Sequence, residues 1–399
     1  MLTTHDIKIV KSTVPLLEAG GVAITRHFYQ RLFKHHPELK NIFNMSNQHT
    51  DSQRIALFEA ILAYAKNIDN LAVLKHAVER IAQKHTSFHI QPFHYQYVGD
   101  HLIETLRELL PEQFTPEVEA AWTKAYSALA QILIGREEEL YTTKEESEGG
   151  WRGKRAFSLV EKRVESELVT SFIFEPLDRQ PVMDYHVGQY IGIELTTEQF
   201  ENTEIRQYSL SQKPNGTSYR ISVKREPSTI DGNAAGMVSN YLHDYLAVGD
   251  MVDLHAPAGD FYFVDRQAPV VLISAGVGIT PMQAMLEALA EKQYNQAVHF
   301  VHACERANQH SFADRTQSLC EAHKWQHHVW YRTEKLATPL SSTHHGLINF
   351  SQIELPIDNG DFYVCGPVAF MQYTKNALLA LGVANERIHY EVFGPHATL

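Results

Sequence analysis

Residues 269–281 read Pro269-Val270-Val271-Leu272-Ile273-Ser274-Ala275-Gly276-Val277-Gly278-Ile279-Thr280-Pro281, an apolar run that leads directly into a glycine-rich turn. The apolar part predicts a buried strand, and a helix is predicted to begin at Met282. Glycines in the turn let the backbone approach a pyrophosphate, and amides at the start of the helix stabilise its charge. A lone Gly-x-Gly is weak evidence, so its interpretation depends on what surrounds it in the chain.

The segments beyond this turn extend the pattern. Apolar runs at 298–302 and 329–331 alternate with helical segments, which predicts a doubly wound α/β domain over residues 264–399. A further strand ends in Phe362-Tyr363-Val364-Cys365-Gly366-Pro367. No clear basic pocket follows the second strand, so we expect NADH as the nucleotide, although Arg306 keeps NADPH open.

Upstream of the turn, residues 152–263 consist of short alternating runs, the pattern of a small antiparallel β-barrel. One run contains Arg206-Gln207-Tyr208-Ser209, which resembles the flavin-binding strand of the ferredoxin-reductase superfamily. Arg206 has the fork geometry to neutralise the pyrophosphate of FAD. Tyr208 can lie against the flavin ring, and Ser209 can bond near its reactive nitrogen. Taken alone the match is weak, and an ordinary amphipathic strand is the plainer alternative.

Other positions strengthen the flavin interpretation. The run Gly236-Met237-Val238-Ser239 reads as a glycine turn opening a helix, whose amides can accept a phosphate. The superfamily resemblance makes Tyr190 a flavin contact and places Cys365-Gly366-Pro367 beside the nicotinamide. A small buried cysteine before a helix-starting proline is the structural alternative there. The resemblance also places Glu391-Val392-Phe393-Gly394-Pro395 at the flavin, with Phe393 covering the ring. Loop 226–235 is interpreted as a surface insertion.

Residues 1–141 have a different character, with helical spacing throughout and no convincing alternating strand. An apolar stripe through Val78 and Ile81 reaches His85 at spacings of three and four. On pattern alone, a histidine there is more often a core residue than a ligand. Glu137 falls near another stripe, where an unpaired carboxylate is costly and an imidazole N–H would satisfy it.

Structural alternatives also apply to other polar residues of this region. Val22 and Tyr29 share one predicted inward helix face. Tyr29 and Tyr95 are compatible with core tyrosines whose hydroxyl groups are bonded. The pattern Thr50-x-x-Gln53 matches a capping box at the start of another helix.

The bulk properties limit the class of protein. At 399 residues the chain suits several domains, and its 44% hydrophobic and 21% charged residues are those of a globular protein. A net charge of −12 argues against nucleic acid or anionic membrane as a partner. Three scattered cysteines favour a reducing compartment, and no signal peptide or transmembrane segment is indicated. We expect a cytoplasmic monomer in which the acidic, glycine-terminated residues 142–151 form an exposed linker.

Essentially the whole chain resembles the flavohaemoglobins. The implied fold class is an all-α globin, then an antiparallel β-barrel that binds FAD, then a doubly wound α/β nicotinamide domain. Four stretches carry the resemblance in the first part: His27-Phe28-Tyr29, Pro37-Glu38-Leu39-Lys40-Asn41-Ile42-Phe43-Asn44-Met45, Ala82-Gln83-Lys84-His85-Thr86-Ser87-Phe88 and Ala121-Trp122-Thr123-Lys124-Ala125-Tyr126.

The resemblance assigns roles around one haem b. It makes His85 the proximal iron ligand, with Tyr95 and Glu137 as its hydrogen-bonded support. It makes Tyr29 the distal hydrogen-bond donor to iron-bound oxygen. Further pocket positions are Gln53, Leu57 and Phe43, the last packing on the porphyrin. Lys84 at the haem edge and Glu391 are expected to influence electron transfer between domains.

The activity that the resemblance implies is nitric oxide dioxygenation. NAD(P)H reduces FAD, FAD reduces the haem iron, and haem-bound O2 oxidises nitric oxide to nitrate. A flavin suits the middle position because it accepts two electrons together and releases them singly. Two alternatives remain open. A haem-based oxygen or redox sensor would not need the reductase part, and a flavin reductase acting on ferric chelates or hydroperoxides would not need an axial histidine.

Overall fold

The structure is a computed structural model that describes residues 2–43, 52–227, 235–335 and 342–394, with residues 52–55 described as backbone only. By its internal contacts the chain divides into two units. The first comprises Met1–Lys154 with Gly192–Arg206, and the second Arg155–Ile191 with Gln207–Leu399. Within the described ranges, no helix is both long and apolar enough to cross a membrane.

Within the described residues, six α-helices lie in the N-terminal part of the first unit. A proline lies in the first turn of the second, fifth and sixth helices. Backbone N–H groups in a first turn have no acceptor within the helix, so the N–H that proline lacks is not missed there. The predicted capping box at Thr50 lies outside the described residues. The helices are α1 Thr4–Ser12, α2 Val14–His35, α3 Ser52–Lys66, α4 Lys75–Thr86, α5 Pro92–Leu109 and α6 Pro116–Glu146.

Helices α1, α2, α3, α5 and α6 share one apolar core, whereas Val78 and Ile81 of α4 pack with Tyr95 and Leu133 in a second cluster. The indole of Trp122, which is 2% exposed, donates to the Thr13 hydroxyl at 3.0 Å. Tyr29 is buried, but Val22, two turns earlier on the same face of α2, is 62% exposed. The predicted inward face is therefore wrong for Val22, because neighbouring helices cover that face along only part of α2.

The first residues of the predicted linker are helical, since α6 continues to Glu146, but of residues 142–146 only Lys144 departs from the predicted exposure. Lys144 is buried, and its ammonium group donates to the Thr86 hydroxyl at 2.8 Å. One turn earlier, the Tyr141 hydroxyl donates to the Ile90 carbonyl oxygen at 2.9 Å. The acidic residues around Lys144 hid this packing, because only one side of the last turns faces the helical core.

The strands of the FAD-type domain form an antiparallel sheet that closes on itself. Its order is β4-β3-β6-β1-β2-β5, and Leu210, just after β4, bridges Ile221 of β5. The two edge strands therefore meet, and the predicted antiparallel architecture is confirmed. The elements are β1 Lys154–Val164, β2 Val169–Pro176, β3 Tyr190–Leu195, β4 Glu204–Ser209, β5 Tyr219–Lys224, the helix α7 Met237–Asp244, and β6 Met251–Ala258.

The C-terminal domain is built on a parallel sheet, also as predicted. Its order is β10-β9-β8-β7-β11-β12, so the direction of winding reverses between β7 and β11, where open α/β sheets bind ligands. The helix after the glycine turn begins at Ile279 rather than Met282, because residues 276–278 form a 3-10 turn that runs straight into it. The elements are β7 Val270–Ala275, α8 Ile279–Glu291, β8 Val298–Cys304, α9 Ala313–His323, β9 Gln326–Tyr331, β10 Thr343–His345, β11 Asp361–Cys365, α10 Val368–Ala380 and β12 Ile388–Glu391.

Burial of Lys144 predicts a pH-dependent gain in stability from Lys144→Met. Burial lowers the pKa of Lys144 to about 7. Between pH 7 and about pH 10, Lys144 is therefore protonated in the unfolded chain but neutral in the folded protein. The wild type consequently gains stability as the pH rises through this range. The variant should be more stable than the wild type at pH 7, and the difference should shrink by up to about 1.4 kcal/mol per pH unit towards pH 9. Urea unfolding at both pH values measures this. The exposed Lys34→Met is the control, and a difference that stays constant with pH would contradict the prediction.

Candidate functional site

Three helices bring His85, Tyr95 and Glu137 together in the first unit. His85 lies in the last turn of α4, Tyr95 in the first turn of α5, and Glu137 in the second half of α6. Nδ1 of His85 is 2.7 Å from Oε1 of Glu137 and 2.9 Å from the Tyr95 hydroxyl oxygen. The Tyr95 hydroxyl also donates a short hydrogen bond to the same Oε1. The predicted support of His85 is thus in place as geometry.

The charge of this cluster decides where the imidazole proton lies. The Glu137 side chain is 3% exposed, and a buried carboxylate only accepts hydrogen bonds. Burial, and then the neighbouring Glu137 carboxylate, raise the pKa of Tyr95 well above its ordinary value, so its hydroxyl stays a neutral donor. An ionised Glu137 carboxylate accepts a hydrogen bond from Nδ1–H of His85, and that tautomer leaves the lone pair on Nε2.

The free end of this imidazole fits an axial ligand to haem iron. His85 is about one-third exposed, and Nε2 enters no hydrogen bond within the described ranges. In the same part of the chain, no cluster of three or more His, Cys, Asp or Glu side chains could hold a bare metal ion. A single histidine with a carboxylate behind it suits an iron whose other ligands come from a porphyrin.

Sequence reasoning missed the part that Tyr126 plays in this cluster. Its hydroxyl donates to the Tyr95 carbonyl oxygen at 2.7 Å, and a methyl group at Gly99 would lie 2.4 Å from its ring. Tyr126 thereby fixes the turn of α5 that carries Tyr95. Its place on an apolar stripe was visible in the sequence, but nothing there indicated which backbone group its hydroxyl would reach.

The predicted distal residues fall in one aromatic environment. Tyr29 is 3% exposed, and its ring centroid lies 5.7 Å from those of both Phe33 and Phe43. Leu57 is partly buried against the same core. The side chain of Gln53 lies outside the described residues. Lys84, next to His85 on α4, is half-buried.

The predicted flavin residues lie on β4 and at the start of α7. The guanidinium of Arg206 pairs with the buried Glu204 carboxylate at 2.8 Å, and this ion pair restricts the orientation of the Arg206 side chain. Gln207 and Tyr208 are half-buried, Ser209 is buried, and Tyr190 begins β3 half-buried.

Gly236 is the residue that caps the N-terminus of α7. A Cβ there would lie 2.4 Å from the Ser239 hydroxyl oxygen, so the chain needs glycine at this position. Val238 is buried and anchors the helix, while Ser239 is half-buried. Glycine with open first-turn amides fits the predicted phosphate contact. Most of loop 226–235 lies outside the described residues.

The two nicotinamide motifs meet at the point where the sheet reverses. A Cβ on Gly278 would lie 2.3 Å from the carbonyl oxygen of Cys365 and 2.7 Å from the amide nitrogen of Gly366. Gly276 has φ +53°, with open space around its Cβ position. One glycine therefore allows contact between motifs, and the other supplies a left-handed turn.

The remaining residues of these motifs support the same turn. The Thr280 hydroxyl donates to the Val277 carbonyl oxygen at 3.0 Å, and the buried Ile279 and Pro281 begin α8. Cys365 is fully buried, and burial raises its pKa well above the ordinary value, so it remains a thiol. Pro367 is exposed and precedes α10.

The closing segment continues from β12, where Glu391 pairs with Cys365 of β11. Val392 is half-buried against the apolar core of this domain, whereas Phe393 is 45% exposed and Gly394 is exposed. Pro395 lies outside the described residues. The placement of Phe393 over a flavin stays a prediction.

Three family models match successive parts of the chain. They are Globin over residues 26–133, Oxidoreductase FAD-binding domain over 156–263, and Oxidoreductase NAD-binding domain over 272–376. Their order agrees with the predicted order of the three folds.

Individual relatives extend this similarity to full length. The flavohemoprotein of Vibrio cholerae serotype O1 is 57% identical over 399 residues, which is 100% of both chains. The flavohemoglobin of Malassezia yamatoensis, solved with bound FAD and heme, is 27% identical, with a TM-score of 0.87 over 98% of this chain and 100% of its own. The FAD/NAD-binding domain of nitric oxide dioxygenase from Vibrio cholerae O1 biovar El Tor is 52% identical, with a TM-score of 0.57 over 60% of this chain and 99% of its own.

Tyr95→Phe should destabilise the first unit, because it leaves the buried Glu137 carboxylate with one donor fewer. A loss of roughly 1–3 kcal/mol in the free energy of unfolding by urea is expected. Tyr97→Phe on the same helix is the matched control, since its ring stacks on His36 and its hydroxyl enters no hydrogen bond among the described residues. Equal losses for the two variants would remove the special role of Tyr95.

The two glycines of the turn should respond differently to alanine. Gly276→Ala should cost about 1 kcal/mol, because alanine must adopt the left-handed conformation. Gly278→Ala should cost about 3 kcal/mol, because its Cβ would force the turn away from Cys365. Nucleotide affinity, measured by titration of the oxidised protein with a nicotinamide nucleotide, should fall further for Gly278→Ala. A larger loss of nucleotide affinity in Gly276→Ala would show that the close contact between Gly278 and Cys365 does not determine that affinity.

Proposed function

The chain belongs to the flavohaemoglobins, in which a globin is joined to FAD-binding and NAD-binding oxidoreductase domains, and we propose that it is a nitric oxide dioxygenase. It would convert nitric oxide and O2 to nitrate with electrons from NADH. The observation that supports this most directly is the hydrogen-bonded set of His85, Tyr95 and Glu137, in a chain that also carries the dinucleotide turn. The cytoplasmic location and the monomeric state stay predictions.

His85 is the residue that would hold the haem. When bound, the haem supplies the iron at which O2 and nitric oxide react. The Glu137 carboxylate would accept a hydrogen bond from Nδ1–H of His85, which makes the imidazole a stronger electron donor through Nε2. Tyr95 keeps that carboxylate in place by donating to it. Such an arrangement favours oxidation chemistry over simple oxygen storage.

The other face of the pocket would be formed by Tyr29. Its phenol is the proposed donor to the bound gas, and the rings of Phe33 and Phe43 exclude water around it. Leu57 adds to the apolar wall, and Gln53 is the second proposed polar residue. An apolar enclosure with only these proposed polar groups suits small uncharged substrates such as O2 and nitric oxide.

The reductase residues would bind and orient the electron carriers. FAD, when bound, turns the two-electron donation of a nicotinamide nucleotide into single-electron steps. Arg206 and the first-turn amides after Gly236 are the proposed phosphate contacts, with Tyr190, Gln207, Tyr208 and Ser209 as contacts to the rest of FAD. The turn at residues 276–281 and the motif at 365–367 would hold the nicotinamide nucleotide. Lys84 and Glu391 remain proposed participants in electron transfer, and residues 392–395 remain proposed neighbours of the flavin.

Removal of His85 tests this function against both alternatives. The haem-loaded His85→Ala variant should consume nitric oxide at least about 100-fold more slowly in the presence of NADH and O2, measured at an electrode. Reduction of ferricyanide by NADH should stay within about twofold, because no reductase residue has changed. His76→Ala, exposed on the same helix, is the matched control.

The other outcomes separate the competing functions. Undiminished nitric oxide consumption by His85→Ala would refute the dioxygenase proposal and favour a flavin reductase. If the wild type binds haem and reduces ferricyanide but does not consume nitric oxide, the result would favour a haem-based sensor. Omission of NADH or O2 from the wild-type reaction should each stop the consumption.

A further inference from the structure

Glu287 is a buried acid in the middle of an apolar helix. It lies on α8, where every residue from Ile279 to Leu289 is buried, and its side chain is 4% exposed. None of the flavin or nicotinamide motifs contains it. A buried carboxylate costs stability unless strong donors surround it, so its presence requires an explanation.

Donors from two domains converge on this carboxylate. Arg220 of β5 donates to Oε1 at 3.2 Å, and Arg315 of α9 donates to the same oxygen at 2.8 Å. Gln283, one turn earlier on α8, is also 3.2 Å from Oε1. The backbone amide of Lys213 donates to Oε2 at 3.3 Å. Burial acts to raise the pKa of Glu287, but Arg220 and Arg315 bring it below the ordinary value, so the group is ionised.

Arg220 connects this carboxylate to the proposed flavin strand. Its guanidinium donates to the Ser211 hydroxyl at 3.1 Å and to the Ser211 carbonyl oxygen. The Ser211 amide in turn donates to the Arg220 carbonyl oxygen at 2.9 Å. Ser211 stands two residues after Ser209, where β4 ends. Arg220 therefore fixes the chain immediately beyond the Arg-Gln-Tyr-Ser motif.

The other end of the connection is the dinucleotide turn. Glu287 and Ile279 belong to one helix, about 12 Å apart along its axis, and Ile279 follows Gly278 directly. Gln283 also accepts from the Thr316 hydroxyl at 2.9 Å, so α9 braces the same side. A rigid helix thus runs from the network to the turn.

A cavity of about 260 Å³ borders this network, with Arg163, Lys213, Arg220 and Arg315 in its wall. Each of these cations already has a carboxylate partner. Arg163 pairs with Glu161 and Lys213 with Glu291, while Glu287 serves both other arginines. The four cations thus share three carboxylates and each has a partner within the protein, so the network is better explained as a clamp between domains than as an anion site.

We propose that Glu287 is a positioning residue for hydride transfer, which through Arg220 fixes the flavin strand relative to the helix that begins at the dinucleotide turn. In that step a hydride leaves the dihydronicotinamide, which becomes the oxidised nucleotide, and FAD takes it up with one proton from water. The rate depends steeply on the approach of the two rings, since a displacement of about 1 Å can cost about 100-fold. The inference rests on the proposed use of FAD and a nicotinamide nucleotide, and not on nitric oxide as substrate.

Glu287→Gln in the full-length holoprotein tests the clamp, because it keeps the shape and removes the charge. Flavin reduction by NADH in a single turnover should slow by about 10-fold to 100-fold, with unchanged FAD content and an increased isotope effect for NADH deuterated at the transferred position. Glu291→Gln, one turn later and ion-paired at the surface with Lys213, is the matched control and should stay within about twofold.

Hydrogen exchange provides a readout that does not depend on turnover. The amides of residues 211–213 should exchange faster in Glu287→Gln, because the Lys213 amide loses its charged acceptor, while amides of the helical first unit should not change. Arg315→Met removes one of the donors to Glu287, from the exposed side of the network. It should slow flavin reduction and speed amide exchange as Glu287→Gln does, but to a smaller extent.

The outcomes that overturn the proposal are distinct from those that overturn the dioxygenase function. Normal flavin reduction in Glu287→Gln, or a loss of rate that follows a loss of bound FAD, would leave Glu287 a purely structural residue. If Glu287→Gln does not fold, a normal reduction rate in Arg315→Met overturns the proposal. Nitric oxide consumption enters none of these measurements.

Discussion

The buried carboxylate of Glu137 is the constraint on which the first unit depends. A charged group with 3% exposure is stable there only while donors face it, and those donors come from two other helices. Helices α4, α5 and α6 must therefore keep a fixed mutual position, which Tyr126 reinforces through the backbone of α5. The same contacts that satisfy Glu137 also orient His85 and determine which of its nitrogens is available. Glu137 thus contributes both to the stability of the first unit and to the proposed chemistry at His85.

The second unit uses a comparable solution for a different purpose. Glu287, like Glu137, is a buried acid that is matched by donors from separate elements. In the first unit the donors surround a residue that would bind iron. In the second they join a barrel strand to the helix of the neighbouring domain. In both cases a single acid holds elements in register that apolar packing alone would allow to slide.

The sequence predicts this molecule well where local chemistry dictates the backbone. The glycine turn at 276–278 follows an apolar strand, and the stripe leading to His85 has helical spacing, so both elements form as predicted. It fails where burial depends on distant partners. Nothing local shows that Val22 lies beyond the covered part of its helix face, that Lys144 reaches Thr86, or that Arg220 meets Glu287. Of the site residues found by resemblance, His85, Tyr95 and Glu137 lie within hydrogen-bonding distance of one another, but Tyr126, which fixes the turn carrying Tyr95, and the buried Glu287 are visible only in three dimensions.

The contact between Gly278 and Cys365 has a consequence for protein engineering. Although far apart in the chain, the two backbone segments touch so closely that neither has room for an independent change. A chimera that takes its glycine turn from one parent and its Cys-Gly-Pro segment from another would combine surfaces that were never fitted to each other. Exchange of nucleotide specificity between relatives therefore calls for transplanting β7, β11 and the turns that follow them as one block.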